Sequence, residues 1–498
     1  MQEQRPTADA ATAPEVSTPH VAPRVDGVSV VPVEALPIDQ FASVLAAEQM
    51  RTLHEATVRA RSLFDGRVIW HVNSTAKGGG VAEMLTALLP YARGTGVDAR
   101  WLVIAGDDAF FRVTKRIHNH LHGNDGDSPQ ISAEDMAHYG GLTRARAEVM
   151  TSMVSPRDVV VLHDPQTAGL IPVLARHCAG VVWRCHVGLD QPNQRVRETW
   201  QLLLPYVRES DAVIFSRKQF AWDGLQDHRV EIFAPSIDPF SAKNRAIEAG
   251  QVAAILNACG VIPGASPNGE VTFERQDGST SPIIHRADIA EDQPIPSHAR
   301  LVAQVSRWDR LKDPLGVLEG FRRGVPVDES VHLALVGPSV AEVVDDPEGH
   351  EVYVEVLNSW RALPEELRAR VHLVCLPMDD DQENAAMVNA LQRRADVVVQ
   401  KSLAEGFGLT VAEAMWKWRP MVASAVGGIQ DQIEDGVSGL LVRDPRDLDG
   451  FGTRVRELLQ DPQRAQQIGD AAHDRVRDHF LGTRALLQYQ ELLSTLRP

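Results

Sequence analysis

The 498-residue chain is poor in cysteine: Cys178, Cys185, Cys259 and Cys375 are its only four, and none stands in a Cys-x-x-Cys pair. That excludes a zinc knuckle or a dithiol redox motif and fits a reducing, cytoplasmic setting. No apolar run approaches the roughly 18 residues that a membrane-spanning helix needs, so no membrane association is expected. Basic residues are in deficit, 50 Lys plus Arg against 67 Asp plus Glu, for a net charge of −17. A phosphate backbone needs a basic footprint, so nucleic acid is not an expected partner. An anionic substrate would have to be held by local cations against the overall field. The first 24 residues are rich in Ala, Pro, Thr and Glu and lack the apolar core of a signal peptide; residues 1–26 read as a disordered tail.

What is present is an ordinary globular composition, 44% hydrophobic and 23% charged, over a length that calls for two or more domains. Strands alternate with helices along two similar halves, the pattern of parallel sheets. In the first half, strands are expected at 67–72, 100–105, 158–162, 181–185, 212–215 and 232–238, with helices at 40–61, 81–89, 110–121 and 200–207. Residues 241–298 are irregular and proline-punctuated, with a short helix near 251–258 and a hairpin over 271–278. The second half is expected to place strands at 301–305, 332–336, 371–375, 397–400, 421–424 and 439–442. The predicted organisation is an N-terminal α/β domain over 27–240, a second over 241–478 with the connector at its start, and a last helix over 479–498 returning to the first domain. Ligands of such sheets bind beyond the carboxyl ends of the strands, where His163 and His186 both fall.

The most informative stretch runs from Ser402 to Met415. A buried strand, a turn holding Gly406 and Gly408, and a helix follow one another, which aims backbone N–H groups and a helix dipole at one point. Glu405 and Glu413 add hydroxyl acceptors, so the stretch suits a sugar joined to a phosphate. As two carboxylates on one helix they would lie about 12 Å apart, too far for the roughly 5–9.5 Å of a glycosidase pair. A second glycine loop, Gly78–Gly80, follows the strand at 67–72 and is neither a P-loop nor Gly-x-Gly-x-x-Gly. Arg307 and Lys312 leave the strand at 301–305 five positions apart and could clamp a diphosphate, one as a fork and one as a point charge. Ala425–Ile429 and Asp435–Gly439 read equally as turn packing or ligand contact. His118, His120 and His122, followed by Asp125 and Asp127, have a metal-like spacing but fit a solvated helix end better; no metal site is expected.

The spacing Glu405-Gly-Phe-Gly408 to Glu413 resembles the signature of family four retaining glycosyltransferases of the GT-B type, which have two facing Rossmann-like domains. His71-Val-Asn-Ser-Thr75, Gly78-Gly-Gly-Val-Ala-Glu-Met-Leu85, His163-Asp-Pro-Gln166, Trp183-Arg-Cys-His186 and Gln304–Pro314 are similar to the trehalose glycosyltransferring synthases, themselves similar to trehalose phosphorylases. The resemblance runs from about Val68 to Leu481. It implies reversible transfer of glucose from ADP- or UDP-glucose to glucose, with the α configuration retained and no bound cofactor. Mg²⁺ would accompany the diphosphate without protein ligands. His186 is then the residue at the donor sugar, Arg307 and Lys312 neutralise the leaving diphosphate, and Glu405 accepts from sugar hydroxyls. Gly406, Phe407, Gly408, Leu409 and Thr410 cradle the donor, Glu413 holds the ribose, and Gly79 and Gly80 close over the diphosphate. Asp164, Gln166 and Asp190 are the acceptor contacts. The small sugars and sugar nucleotides are the expected partners, with a homodimer compatible. A trehalose phosphorylase, a family four transferase with another small acceptor, a sugar-nucleotide epimerase and an inactive sugar-nucleotide-binding regulator remain as alternatives.

Overall fold

The computed structural model describes residues 26–76, 79–264, 269–325, 330–340 and 347–496. The expected tail, apart from Asp26, and Gly78 of the glycine loop lie outside them.

Two seven-stranded sheets carry the chain. The first holds β1 (Val28–Val31), β2 (Val68–Asn73), β3 (Asp98–Ile104), β4 (Val159–His163), β5 (Gly180–Cys185), β6 (Ala212–Phe215) and β7 (Val230–Ile232), in the order β1-β3-β2-β4-β5-β6-β7. All neighbours are parallel except the edge strand β1, which runs antiparallel to β3. β4 and β5 are buried along their whole length, as expected of strands with helices on both faces. The chain begins this wound sheet at β2, adds β3 on one side, then returns to add β4 to β7 on the other. The order therefore reverses between β2 and β4, which opens a crevice at their carboxyl ends.

The second half repeats the plan. A hairpin of β8 (Thr272–Glu274) and β9 (Thr280–Pro282) precedes a sheet of β10 (Asp288–Ala290), β11 (Arg300–Val305), β12 (Val331–Pro338), β13 (Val371–Leu376), β14 (Val397–Gln400), β15 (Met421–Ser424) and β16 (Leu440–Val442). Its order is β10-β13-β12-β11-β14-β15-β16, with β10 antiparallel at the edge. Here the reversal falls between β11 and β14, so the loops 306–313 and 401–408 flank the second crevice.

Five elements depart from the sequence expectation. The edge strands β1 and β10 are short and carry too little alternation to be read. The helix Ala133–Met150 buries Tyr139, Thr143, Ala147 and Met150, a stripe half made of small or polar side chains. It starts with a reciprocal cap: Asp135 N–H donates to Ser132 Oγ at 3.0 Å, and Ser132 N–H to the Asp135 carboxylate at 2.8 Å. The helix Pro347–Arg361 has an apolar stripe of Val352, Val356 and Trp360 carried on an acidic segment. The strand expected over 232–238 stops at Ile232, because Pro235 has no N–H to continue a ladder. The chain instead leaves the sheet, and Ile237 N–H donates to Phe480 O at 2.8 Å.

That contact returns the C-terminus to the first half. The last helix, Gly482–Ser494, packs on helices Ala47–Leu63 and Gly80–Gly94. Its Tyr489 hydroxyl accepts from Arg184 Nη1 at 2.8 Å, beneath the first sheet. A second tie joins the halves at Arg217, whose side chain is only 5% exposed. It is paired with Asp190 at 2.5 Å and Asp431 at 3.0 Å and donates to Gly427 O. Asp190 in turn accepts from Gly427 N–H at 3.0 Å and Gln430 Nε2 at 2.9 Å.

Candidate functional site in the cleft

The turn after β14 is shaped by glycine at three points. Gly408 has φ +82° and opens the helix Leu409–Trp416; a non-glycine residue would be strained there. Gly427 and Gly428 lie directly beneath the turn. A Cβ on Gly427 would stand 1.7 Å from Glu405 O, and one on Gly428 2.7 Å from Phe407 Cα. Gly428 N–H donates to Gly406 O at 2.9 Å, and Gln432 Nε2 to Phe407 O at 2.6 Å. The segment Ala425–Ile429 thus serves packing: it is the floor on which Glu405–Gly408 is laid.

Opposite, the loop after β11 is fixed by Asp313, which has φ +49°, caps the helix Pro314–Gly324 and pairs with the buried Lys401. Gln304 Nε2 donates to Lys312 O at 2.7 Å. These contacts present Lys312 Nζ to Glu405 Oε2 at 2.5 Å, with Ser402 Oγ at 3.3 Å from the same oxygen. Arg307 is 65% exposed and pairs with Asp309 at 3.0 Å. Lys312, Glu405 and the Gly406–Leu409 backbone therefore form one corner that offers a cation, a carboxylate and backbone N–H groups, with Arg307 at its rim.

The N-terminal half supplies the facing wall. His186 follows β5, and a Cβ on Gly406 would lie 3.5 Å from His186 O, so this histidine and the glycine turn meet across the cleft. Asp164 holds it by accepting from His186 N–H at 2.7 Å. Asp164 adopts φ +63° with ψ 174°, a costly conformation for a residue with a side chain. Burial pushes its carboxyl up to about 6, opposed by the His186 N–H and the Arg184 charge. Asp164 is thus a support of His186 as much as a wall of the acceptor space. Gln166 sits half-buried on the short helix Pro165–Ala168. Asp190 stands at the junction of the two halves: its oxygens accept from Arg217, Gly427 N–H and Gln430, and its side chain is 30% exposed.

Glu413 lies on the opposite side of the glycine turn from Glu405. It faces a cavity of about 370 Å³ that is also lined by Gly79, Glu83, Lys243, Gln276, Met378 and Gln382. Lys243 Nζ bridges Glu83 at 2.5 Å and Glu413 Oε1 at 3.5 Å, while Glu413 Oε2 has no partner among the described residues. Burial raises the Glu413 carboxyl above its usual range, against the pull of Lys243. The two glutamates thus belong to separate compartments, one with Lys312 and one with Lys243. Gly79, with φ +81°, caps the helix Gly80–Gly94, and neither Gly79 nor Gly80 has an atom within 4 Å of a Cβ position.

The histidine cluster expected at a solvated helix end is placed differently. His120 is buried and bonded to Ser128 O at 2.9 Å. His118 and His122, four positions apart and so on one face, touch edge to face at 4.9 Å. Burial lowers both, His118 to about 3, and the charges of Arg307, Lys312 and Glu405 reach them. They line the cleft; their i, i+4 spacing was the available signal. No group of His, Cys, Asp and Glu suited to a metal occurs among the described residues.

Residues 71–222 match the family model described as "Trehalose synthase, N-terminal domain", and residues 285–475 match "Glycosyl transferases group 1". The chain belongs to the trehalose synthase family of glycosyltransferases. It is 34% identical to the trehalose synthase of Pyrococcus horikoshii over 92% of this chain and 96% of that one. The trehalose synthase of Rubrobacter xylanophilus is 33% identical, with 92% and 96% covered. A trehalose phosphorylase of Grifola frondosa is 25% identical over 85% of this chain and 57% of its own length. Among solved structures, the α,α-trehalose 6-phosphate synthase of Burkholderia multivorans superposes with a TM-score of 0.61 at 14% identity, covering 86% of this chain and all of that one. The fold is GT-B, and the protein is a glycosyltransferase. No described helix is long and apolar enough to cross a membrane.

Proposed function

We propose that this glycosyltransferase forms α,α-trehalose by moving glucose from a nucleotide diphosphate glucose, ADP- or UDP-linked, to free glucose with retention of configuration. The observation that carries the reading is the meeting of Lys312, Glu405 and the Gly406–Gly408 turn with His186 across the cleft. One side offers cations and N–H groups for a departing diphosphate; the other offers a neutral, buried imidazole for a sugar.

In this reading Lys312 keeps two ammonium protons free of Glu405 for diphosphate oxygens, and Arg307 adds a mobile guanidinium at the rim. Charge developing on the leaving oxygen is met by groups already in place, which is the most effective form of electrostatic stabilisation. Glu405, pinned by Lys312 and Ser402, accepts from sugar hydroxyls. Glu413 is the acceptor for the ribose, reached through the cavity that Gly79 and Lys243 border. No carboxylate is assigned as a nucleophile in this reading, so the acceptor enters on the face the diphosphate leaves. Its hydroxyl proton then passes to the leaving phosphate oxygen. Cleft closure excludes water from this exchange.

The test is proton NMR of the purified protein with glucose and either ADP- or UDP-glucose. An α,α-linked disaccharide is expected, and the faster nucleotide names the donor. Glucose 1-phosphate appearing only from trehalose and inorganic phosphate would replace this reading with a phosphorylase.

A further inference from the structure

Three imidazoles cross the carboxyl edge of the first sheet on neighbouring strands. His71 lies in the buried run of β2 two residues before its end, His163 ends β4, and His186 follows β5. His71 Nδ1 lies 3.0 Å from His163 Nε2, and His163 Nδ1 lies 3.3 Å from His186 Nε2. The rings are nearly parallel, at 25° and 15°, with centroids 5.3 and 5.6 Å apart. His71 and His163 are at most 4% exposed. The far end of the row abuts Tyr489 of the last helix, edge-on at 5.5 Å.

A buried imidazole beside a fixed guanidinium is neutral, and Arg184 stands beside this row. A neutral imidazole has one N–H and one bare nitrogen. An N···N contact needs the proton on one side only, so the two contacts admit two arrangements. Either every ring is protonated on Nε2, or every ring is protonated on Nδ1. Any mixture leaves two N–H groups, or two lone pairs, facing each other. In both permitted arrangements His186 Nε2 is engaged and His186 Nδ1 is the nitrogen left for a ligand. The second domain contains a similar pair, His332 Nδ1 at 2.9 Å from His372 Nε2, but that row runs on to Glu291 at 2.8 Å. There a carboxylate fixes the proton; in the first domain the row ends on a cleft residue.

From this geometry we infer that His71 and His163 are positioning residues for the transfer reaction: they hold His186 in one ring orientation and lock its tautomer to their own, with Nδ1 directed to the donor sugar. This rests on the reading of His186 given above. His71 touches no substrate and acts through His163 alone.

Two measurements test it. In the first, kcat and KM are compared for His163→Phe, His163→Gln and His71→Phe. His163→Phe should lower kcat by about 10- to 100-fold, the usual cost of removing a group that orients a ligand-contacting histidine. KM for the nucleotide sugar should stay within about twofold, because the diphosphate contacts lie in the other domain, and His163→Gln should recover part of the loss by restoring a polar partner. In the second, long-range ¹H–¹⁵N NMR of histidine-labelled full-length protein without substrate should show the three rings in the same tautomer, and His71→Phe should shift the His186 signals. A folded His163→Phe with wild-type kcat would overturn the inference. So would rings of unlike tautomer in the wild type. If the wild type made no disaccharide, the function proposed above would fail while the NMR would still decide the row; if His163→Phe did not fold, the wild-type spectrum and His71→Phe would decide it.

Discussion

The first sheet ends at its switch point in imidazoles that burial and Arg184 keep neutral. The second, wound 3-2-1-4-5-6 over its parallel strands where the first is 2-1-3-4-5-6, ends at its own switch point in Arg307, Lys312 and Glu405. Two sheets with the same kind of switch point thus carry unequal electrostatics. A sheet fixes where a ligand can approach, since strand order decides where the crevice opens. Chain-specific side chains decide what each crevice does. In the proposed reaction, ion pairs on the charged side hold cations toward the leaving group. On the neutral side, hydrogen bonds hold a polar ring where a fixed cation would oppose developing positive charge.

The comparison can be broken most severely at Lys312. Lys312→Ala removes the cation facing the diphosphate and leaves Glu405 without its ion partner. We expect kcat/KM to fall by about 10²- to 10³-fold, the scale for one transition-state donor in a dry site, measured by initial rates of disaccharide formation. A loss below about threefold would move the leaving-group role to Arg307.

A smaller effect is expected where the halves are tied. Arg217→Ala frees Asp190 and Asp431 from a buried guanidinium and removes the bond to Gly427 O, which supports Glu405. With both carboxylates partly solvated, a loss of about 1–3 kcal/mol is expected, read as a lower urea midpoint with a raised KM. Unchanged stability and KM would mean that the tie contributes nothing to closure.

The neutral side has a pH signature. His71 is pushed down to about 3 by burial, with Arg184 contributing, and His163 and His186 are also lowered. Below the unfolded value of about 6.5, the unfolded chain binds a proton that the folded chain refuses. Stability therefore holds above that pH and falls as pH drops from about 6.5 toward 3. Each such histidine contributes up to about 1.4 kcal/mol per pH unit. Urea midpoints at pH 7 and pH 5 measure it, and His71→Phe should flatten the slope.

Much of this was legible in the residues. The strand-turn-helix at 397–416 and the pair Arg307 and Lys312 are local, and a local pattern states its geometry. The alternation of strands and helices gave both parallel sheets. What could not be read depends on partners far apart in the chain. His71 and His163 are 92 residues apart, Lys243 meets Glu83 from 160 residues away, and Arg217 meets Gly427 from 210. Asp190 shows the same: its ties to Gly427 and Gln430 of the other half could not be read from its position after His186. The helix Ala133–Met150 escaped because Thr and Ala form part of its buried stripe.

The central division of labour is tested most directly by calorimetric titration of ADP and UDP into the wild type, His186→Ala and Lys312→Ala. The account predicts that His186→Ala binds the favoured nucleotide diphosphate within about threefold of wild type. Lys312→Ala should lose about tenfold or more, the worth of one charge-assisted contact. Equal losses in both variants, or wild-type binding by Lys312→Ala, would contradict it.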